Sequence, residues 1–352
     1  MNVYFAGNTG VPSREKMVCR IADRRLFSYY FLALDFYNSV KMFKIAMKKK
    51  VHLFLDSGAF SAWTQGVPID IQEYITFIKE NKDILDIYAN LDVIGIGGKQ
   101  PNKLTAQKTL ENQKIMEAAG LSPLPCFHFG EPFEFLEYYV ANYEYLALGV
   151  AGNSGTTLIP WLNECFSKYI CDEKGFPKIK VHGFAVTSLK LMLKYPWYSV
   201  DSTSWVVTGR MGGIFIPRWA DNKWVYDGAS WKISVSNQSP NMKQNNQHIE
   251  TLSPQNRKII MRYIEEKGYC LGESTFSEVD QSHELLENER WAEKKPANKT
   301  QKRKLETIVI PGISNTYQLR DEMNIIYFLD LEKSMPEWPW SFKIQETIQP
   351  FF

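Results

Sequence analysis

Over roughly the first 230 residues, short apolar runs ending in Gly, Asp or Ser alternate with longer stretches whose apolar residues recur at spacings of three and four. The short runs suit strands and the longer ones helices. Such alternation reads as successive β-α units, which need a mainly parallel sheet covered by helices. The strand-like runs are 3–6, 51–55, 87–91, 125–129, 145–150, 180–184 and 198–200, with 232–235 as the candidate eighth. Helical spacing marks 27–49, 71–81, 103–119, 131–142, 159–169 and 188–194. Seven or eight such units match an α/β (β/α)8 TIM-like barrel, with an open doubly wound sheet as the alternative.

In such a barrel the residues at strand C-termini face the active mouth. Here those positions carry Asp56-Ser57-Gly58, Asn90-Leu91-Asp92, His128-Phe129-Gly130, Gly149-Val150-Ala151-Gly152, His182-Gly183 and Asp201-Ser202. In LFLDSGAFSAW, residues 53–63, an apolar strand delivers Asp56 to a Ser-Gly turn; an equally simple role for that aspartate is to cap the next helix. YSVDSTSW, residues 198–205, places Asp201 in the same way. Two carboxylates reaching one barrel mouth from different strands suit a double displacement at an anomeric carbon, in which one attacks C1′ and the other manages protons.

After Ser236 the Asn/Gln-rich stretch SNQSPNMKQNNQ marks a boundary, so residues 1–236 are expected to form the barrel and 237–352 a C-terminal α+β extension. Within the extension, 253–266 and 283–295 read as helices and 307–310 and 325–329 as strands, before a Trp/Pro/Phe-rich tail expected to dock on the body. The net charge of +2 lacks the global excess of a protein that coats nucleic acid, so a polyanion would be gripped locally. Five scattered cysteines without a C-x-x-C pair indicate neither a disulfide framework nor a zinc knuckle. With no leader-like start and no long apolar run, the chain is expected to be cytoplasmic, with no membrane partner.

Four segments in order carry a resemblance. LDSGAF is similar to the strand-end Asp-Ser-Gly-Gly-Phe motif of tRNA-guanine transglycosylases. YANLDV at 88–93 resembles the strand whose terminal Asp reads guanine, and YLALGVAG at 145–152 the Gly-rich segment that binds the base through its backbone. VHGFAVTSLKLMLKYPWYSVDSTSW at 181–205 resembles the stretch that ends in the nucleophilic Asp, so the likeness spans about residues 50–215. It implies Asp201 as nucleophile, Asp56 as general acid/base or substrate-organising carboxylate, and Asp92 as acceptor for the guanine N1–H and N2 edge, with Gly149 and Val150 approaching the base. Ser57, Phe60, His128 and Gly130 would complete the base site, and Arg210 matches the Arg that follows the nucleophile.

Two departures matter. The family's strand ending in Gln-Gly-Gly is here His128-Phe129-Gly130, which assigns His128 either to O6 or the 7-substituent of the base, or to a structural hydrogen bond. Beyond Asp201 only Cys270, His248 and His283 remain, too few for the family's thiolate-rich zinc site. The resemblance therefore points to the DNA-acting DpdA relatives of bacteriophages and bacterial defence islands, in the host cytoplasm when phage-encoded. They exchange guanine in DNA for a free 7-deazaguanine base, preQ0-like or preQ1-like, by way of a glycosyl-aspartate. No metal or cofactor is implied, and a monomer is expected because the tRNA enzymes dimerise partly through the zinc region. A flipped guanine would stack on aromatics, with Phe60, Trp63, Phe129 and Trp205 as candidates, while Arg210, Arg218 and the basic stretch 294–304 would hold phosphates. The rival readings are a tRNA-guanine transglycosylase without its zinc site, a noncatalytic nucleic-acid-binding barrel, and a glycosidase acting on sugars.

Overall fold

Eight short strands, β1 (Asn2–Ala6), β2 (Arg24–Ser28), β3 (His52–Asp56), β4 (Ile87–Tyr88), β5 (Cys126–His128), β6 (Tyr145–Gly149), β7 (Lys180–Phe184) and β8 (Ser199–Ser202), form one curled all-parallel sheet. This computed structural model describes residues 1–342 apart from 8, 96–100, 151–154, 187, 229, 240–244, 297, 299 and 300. The strand order is β4-β3-β2-β1-β8-β7-β6-β5, so β1 and β8 are neighbours and every other pairing joins strands consecutive in the chain. β4 and β5, at the two ends of that order, meet in a parallel bridge between Ala89 and Leu124. There the Leu124 N–H donates to the Tyr88 carbonyl and the Asn90 N–H to the Leu124 carbonyl, both at 2.9 Å.

Side chains alternate across each strand, and both faces are buried, as expected for parallel strands with helical cover. One face gathers Tyr4, Leu26, Phe54, Cys126 and Ala147 into a cluster. The other sends Phe27, Leu53 and Leu55 against Met42 of the helix Ser39–Lys49 and Tyr74 and Ile78 of the helix Ile71–Glu80. Counting on by two from Phe54, Cys126 and Ala147 puts Asp56, His128 and Gly149 on the first face, at the last residue of their strands.

The chain is divided into two compact units, Met1–Thr203 with Phe328–Phe352, and Ser204–Tyr327. The division falls at Thr203/Ser204 rather than after Ser236, and the C-terminal segment from Phe328 belongs with the sheet. Its docking is specific: the Trp338 indole N–H donates to the Pro196 carbonyl at 3.1 Å, and Phe342 packs on Phe166 and Tyr195. Residues 343–352 lie outside the described residues.

The eighth strand of the sheet is β2, not 232–235. Its start, Arg24-Arg25, hides it in the sequence. Arg25 is fully buried, and its guanidinium is neutralised by Glu15 of the helix Pro12–Ile21 at 2.7 and 3.1 Å, with further bonds to the Phe5 and Gly7 carbonyls. In consequence the stretch expected as one helix over 27–49 opens as a strand, followed by the helices Tyr29–Ala33 and Ser39–Lys49.

In the second unit the residues expected as an eighth barrel strand form Trp231–Ser234, antiparallel to Gly213–Ile216. The helix expected at 253–266 is present as Pro254–Glu266, capped by the Ser253 hydroxyl. The helix expected at 283–295 is not: Glu289–Trp291 is a strand, which with Glu273–Val279 pairs on either side of Arg303–Ile310. The strand expected at 325–329 lies instead in the helix Tyr317–Ser334, since an unbroken apolar run carries no period that separates helix from strand. Among the described residues no helix is long and apolar enough to cross a membrane.

Candidate active site

The β3 strand hands over to the helix Ala59–Gln65 through Asp56, Ser57 and Gly58. Gly58 turns the chain with φ of 79°, where a side chain would overlap Ser28 and Tyr30, and its N–H donates to Asp56 Oδ2 at 3.1 Å. Asp56 is partly buried at the end of its strand. That burial, then the negative charges of Asp92 and Asp201, hold its carboxyl well above the ordinary carboxylate range, against the opposing pull of the Gly58 and Ser57 N–H groups. The Asp92 and Asp201 charges thus both bear on Asp56 and favour its protonated form.

Asp92 follows β4 in a loop tied to the helix Lys103–Ala118, where Asn112 donates to the Leu91 carbonyl at 2.7 Å and the Val93 N–H donates to Thr109 at 2.9 Å. Asn90 is part of this anchorage, donating to the Thr109 carbonyl at 2.8 Å. Asp92 is pinned on both oxygens: Oδ1 accepts from the Ser57 hydroxyl at 2.6 Å, and Oδ2 faces His128 Nε2 at 2.9 Å. The Ser57 hydroxyl proton is thus committed to Asp92, and its oxygen accepts the Ala59 N–H at 3.1 Å.

His128 ends β5, and the tight turn through Gly130 returns Glu131 to it. Glu131 accepts the His128 backbone N–H at 2.8 Å and places its other oxygen 3.5 Å from Nδ1. Burial disfavours the imidazolium, but Asp92 and Glu131 outweigh it and raise the pKa to about 10. Gly149 makes the room: a Cβ there would overlap the His128 ring. The Gly149 carbonyl accepts the Phe129 N–H at 3.3 Å, and the side of Gly149 where a Cβ would stand is taken by the His128 ring. Val150 is buried beside it, and Ala151 and Gly152 lie outside the described residues.

Asp201 sits in β8, with Oδ1 accepting the Ala185 N–H at 2.8 Å and lying 3.4 Å from His182 Nε2. Ala185 holds that N–H in place from the left-handed region, φ 54°, a strained conformation for a residue with a side chain. Asp201 is 7% exposed, enough to be reached and too little to be ordinary surface.

Of the aromatic candidates, Phe60 is exposed and contacts Trp63. Phe129 rests edge-on against Trp161. Trp205 is fully buried in the second unit, with no face to offer a base. Arg210 is exposed at the end of the helix Ser204–Arg210, also in the second unit. Arg218 is paired with Asp227 at 2.7 Å, and Arg303, at the start of the strand Arg303–Ile310, lies over the Trp291 ring and donates to the Glu293 carbonyl. Lys302 and Lys304 are the exposed remainder of the described basic stretch after Arg303 is set aside, with Lys294 and Lys295 before them.

The Cys and His residues beyond Asp201 each have protein partners: His248 accepts the Glu250 N–H and faces the Ser236 carbonyl, His283 pairs with Glu289, and Cys270 donates to the Pro311 carbonyl. Among the described residues no group of three or more His, Cys, Asp or Glu is arranged to hold a metal. Sequence reasoning missed Glu131, Ser199 and Tyr145. Glu131 was legible as the fourth residue of a His-Phe-Gly-Glu turn, and Ser199 as the residue two before Asp201 on the same strand face.

The geometry yields a measurable expectation. His128, ordinarily titrating near 6.5, should remain imidazolium through neutral pH with a midpoint near 10 by NMR, and its contribution to stability should be complete below pH 6.5 and lost as pH rises to about 10. Gly149→Ala should destabilise by about 1–3 kcal/mol in denaturant and bring that titration down toward 6.5. An unshifted His128 midpoint in the variant would show that the missing Cβ is not what seats the ring.

Comparison with family models, with curated proteins and with solved structures finds no match for this chain.

Proposed function

We propose that the protein is a base-exchanging transglycosylase of the DpdA kind, built on a (β/α)8 barrel, that replaces guanine in DNA by a free 7-deazaguanine base. The barrel reading is supported by the Ala89–Leu124 bridge between the two ends of the sheet order. One observation carries the chemistry: Asp56 ends β3 and Asp201 lies one residue from the end of β8 in one parallel sheet, and the Asp201 charge is among the causes that push the Asp56 carboxyl upward. A protonated carboxyl beside a carboxylate held by a backbone N–H is what displacement at C1′ needs.

The target nucleotide is flipped out of the duplex, at an unstacking cost of about a few kcal/mol. Asp201 attacks C1′ while Asp56 gives its proton to the departing guanine, leaving a glycosyl-aspartate. The incoming 7-deazaguanine returns the proton to Asp56 as its N9 attacks C1′, and two inversions retain the configuration. Asp92, fixed by Ser57 and His128, keeps unused lone pairs for the donor edge of the base. DNA is favoured over tRNA because beyond Asp201 the sequence holds only Cys270, His248 and His283, too few for the thiolate-rich zinc site of the tRNA enzymes.

The test offers duplex DNA and tRNA, each with labelled guanine, to the protein with free 7-deazaguanine bases. Label release from DNA is expected, with the first half-reaction falling as pH rises through the elevated Asp56 pKa, because the acid form supplies the proton. Release from tRNA alone would reassign the polymer, and release from neither would end the proposal.

A further inference from the structure

We propose that Tyr145, Ser199 and His182 form a one-way hydrogen-bond chain that presents the His182 Nε2–H to Asp201 Oδ1, leaves Oδ2 as the attacking oxygen, and eases departure of the aspartate in the second half-reaction. The last part rests on the transglycosylase reading of Asp201; the chain itself does not.

Parallel pairing sets His182 of β7 opposite Ser199 of β8, with Asp201 two residues on along the same strand face. The Tyr145 hydroxyl lies 2.6 Å from Ser199 Oγ, and Ser199 Oγ lies 2.6 Å from His182 Nδ1. His182 is fully buried, with the rings of Tyr4, Phe54 and Phe184 around it. Burial lowers its pKa, against the attraction of Asp201, so the ring is neutral and carries a single N–H.

Where that proton sits follows from the partners. Were it on Nδ1, the Nε2 lone pair of the fully buried His182 ring would face the Asp201 carboxylate at 3.4 Å, a repulsive arrangement. With it on Nε2, Tyr145 donates to Ser199, Ser199 donates its one hydroxyl proton to Nδ1, and Nε2–H points at Oδ1. The 3.4 Å separation is longer than an ordinary hydrogen bond, and Nε2 makes no other. Oδ1 therefore faces Ala185 N–H and His182, whereas Oδ2 has neither contact.

The consequence for the chemistry has a sign. When Oδ2 attacks C1′, the C1′–N9 electron pair leaves with guanine, which takes the Asp56 proton, and the carboxylate charge is lost in the ester. When N9 of the incoming base, deprotonated by Asp56, attacks C1′, the C1′–O electron pair returns to Asp201. A donor on Oδ1 stabilises the charged carboxylate, so it opposes the first step and assists the second. Tyr145, Ser199 and His182 are positioning residues in this scheme.

Two measurements test it. Nitrogen-15 NMR of the wild-type protein should show His182 as the Nε2–H tautomer; the Nδ1–H tautomer overturns the proposal whatever the activity. Quench-trapping of the DNA–protein adduct, with a duplex oligonucleotide carrying labelled guanine, should show Ser199→Ala accumulating adduct, its second step slowed about tenfold and its first unchanged or faster. Equal slowing of both steps would mean a structural role only and also overturns it. Tyr145→Phe removes just the outermost donor and should shift the balance in the same direction by less, which serves if Ser199→Ala folds poorly. A wild type that shows Nε2–H but never forms adduct upholds the clamp on Oδ1 and sinks the transglycosylase reading together with the half-reaction role.

Discussion

Asp201→Asn is expected to lower base exchange by at least about 10⁴-fold, because a neutral amide cannot form the ester through which the sugar is passed. The substitution keeps the fold: the amide oxygen still accepts the Ala185 N–H that Asp201 Oδ1 now accepts at 2.8 Å. Loss of exchange with an unchanged denaturation midpoint and unchanged DNA binding would therefore locate the defect in chemistry. A variant that exchanges base at the wild-type rate would remove Asp201 from the mechanism, and retention of function without exchange in either protein would favour a noncatalytic barrel.

The largest effect on stability is expected at Arg25→Met, about 3–5 kcal/mol, because it strands Glu15 as an unpaired buried charge. Both side chains are sealed from solvent, and the guanidinium also serves the Phe5 and Gly7 carbonyls, so the loss falls on β1 and β2 together. Adding Glu15→Leu should recover much of the loss, because the uncompensated charge is removed with its partner. Denaturant midpoints of the single and double variants measure both effects. A single variant within about 1 kcal/mol of wild type would show that Glu15 finds a proton or another partner at little cost.

Legibility differed from element to element for physical reasons. β7 was read to the residue and β1, β3, β5 and β6 to within one at either end, since short runs set between turn signals leave little choice of boundary. β2 was not read, because its two arginines look like a helix surface until Glu15 is brought alongside by the sheet. The strand Glu289–Trp291 and the helix Tyr317–Ser334 were read in exchange, one for want of an apolar period and the other for want of a polar break.

For the candidate site the same distinction holds. The sequence alone determined which carboxylates stand at strand ends, because a period of two and a turn signal are local properties. Tertiary structure decided their environment and their partners: that burial and neighbouring carboxylates push Asp56 upward, that Asp92 and Glu131 raise His128 to about 10, and that Gly149 leaves room for the His128 ring. Those outcomes depend on burial and on charges brought from other strands, and Coulomb interactions between residues remote in the chain are set by distance in space, which no local pattern records.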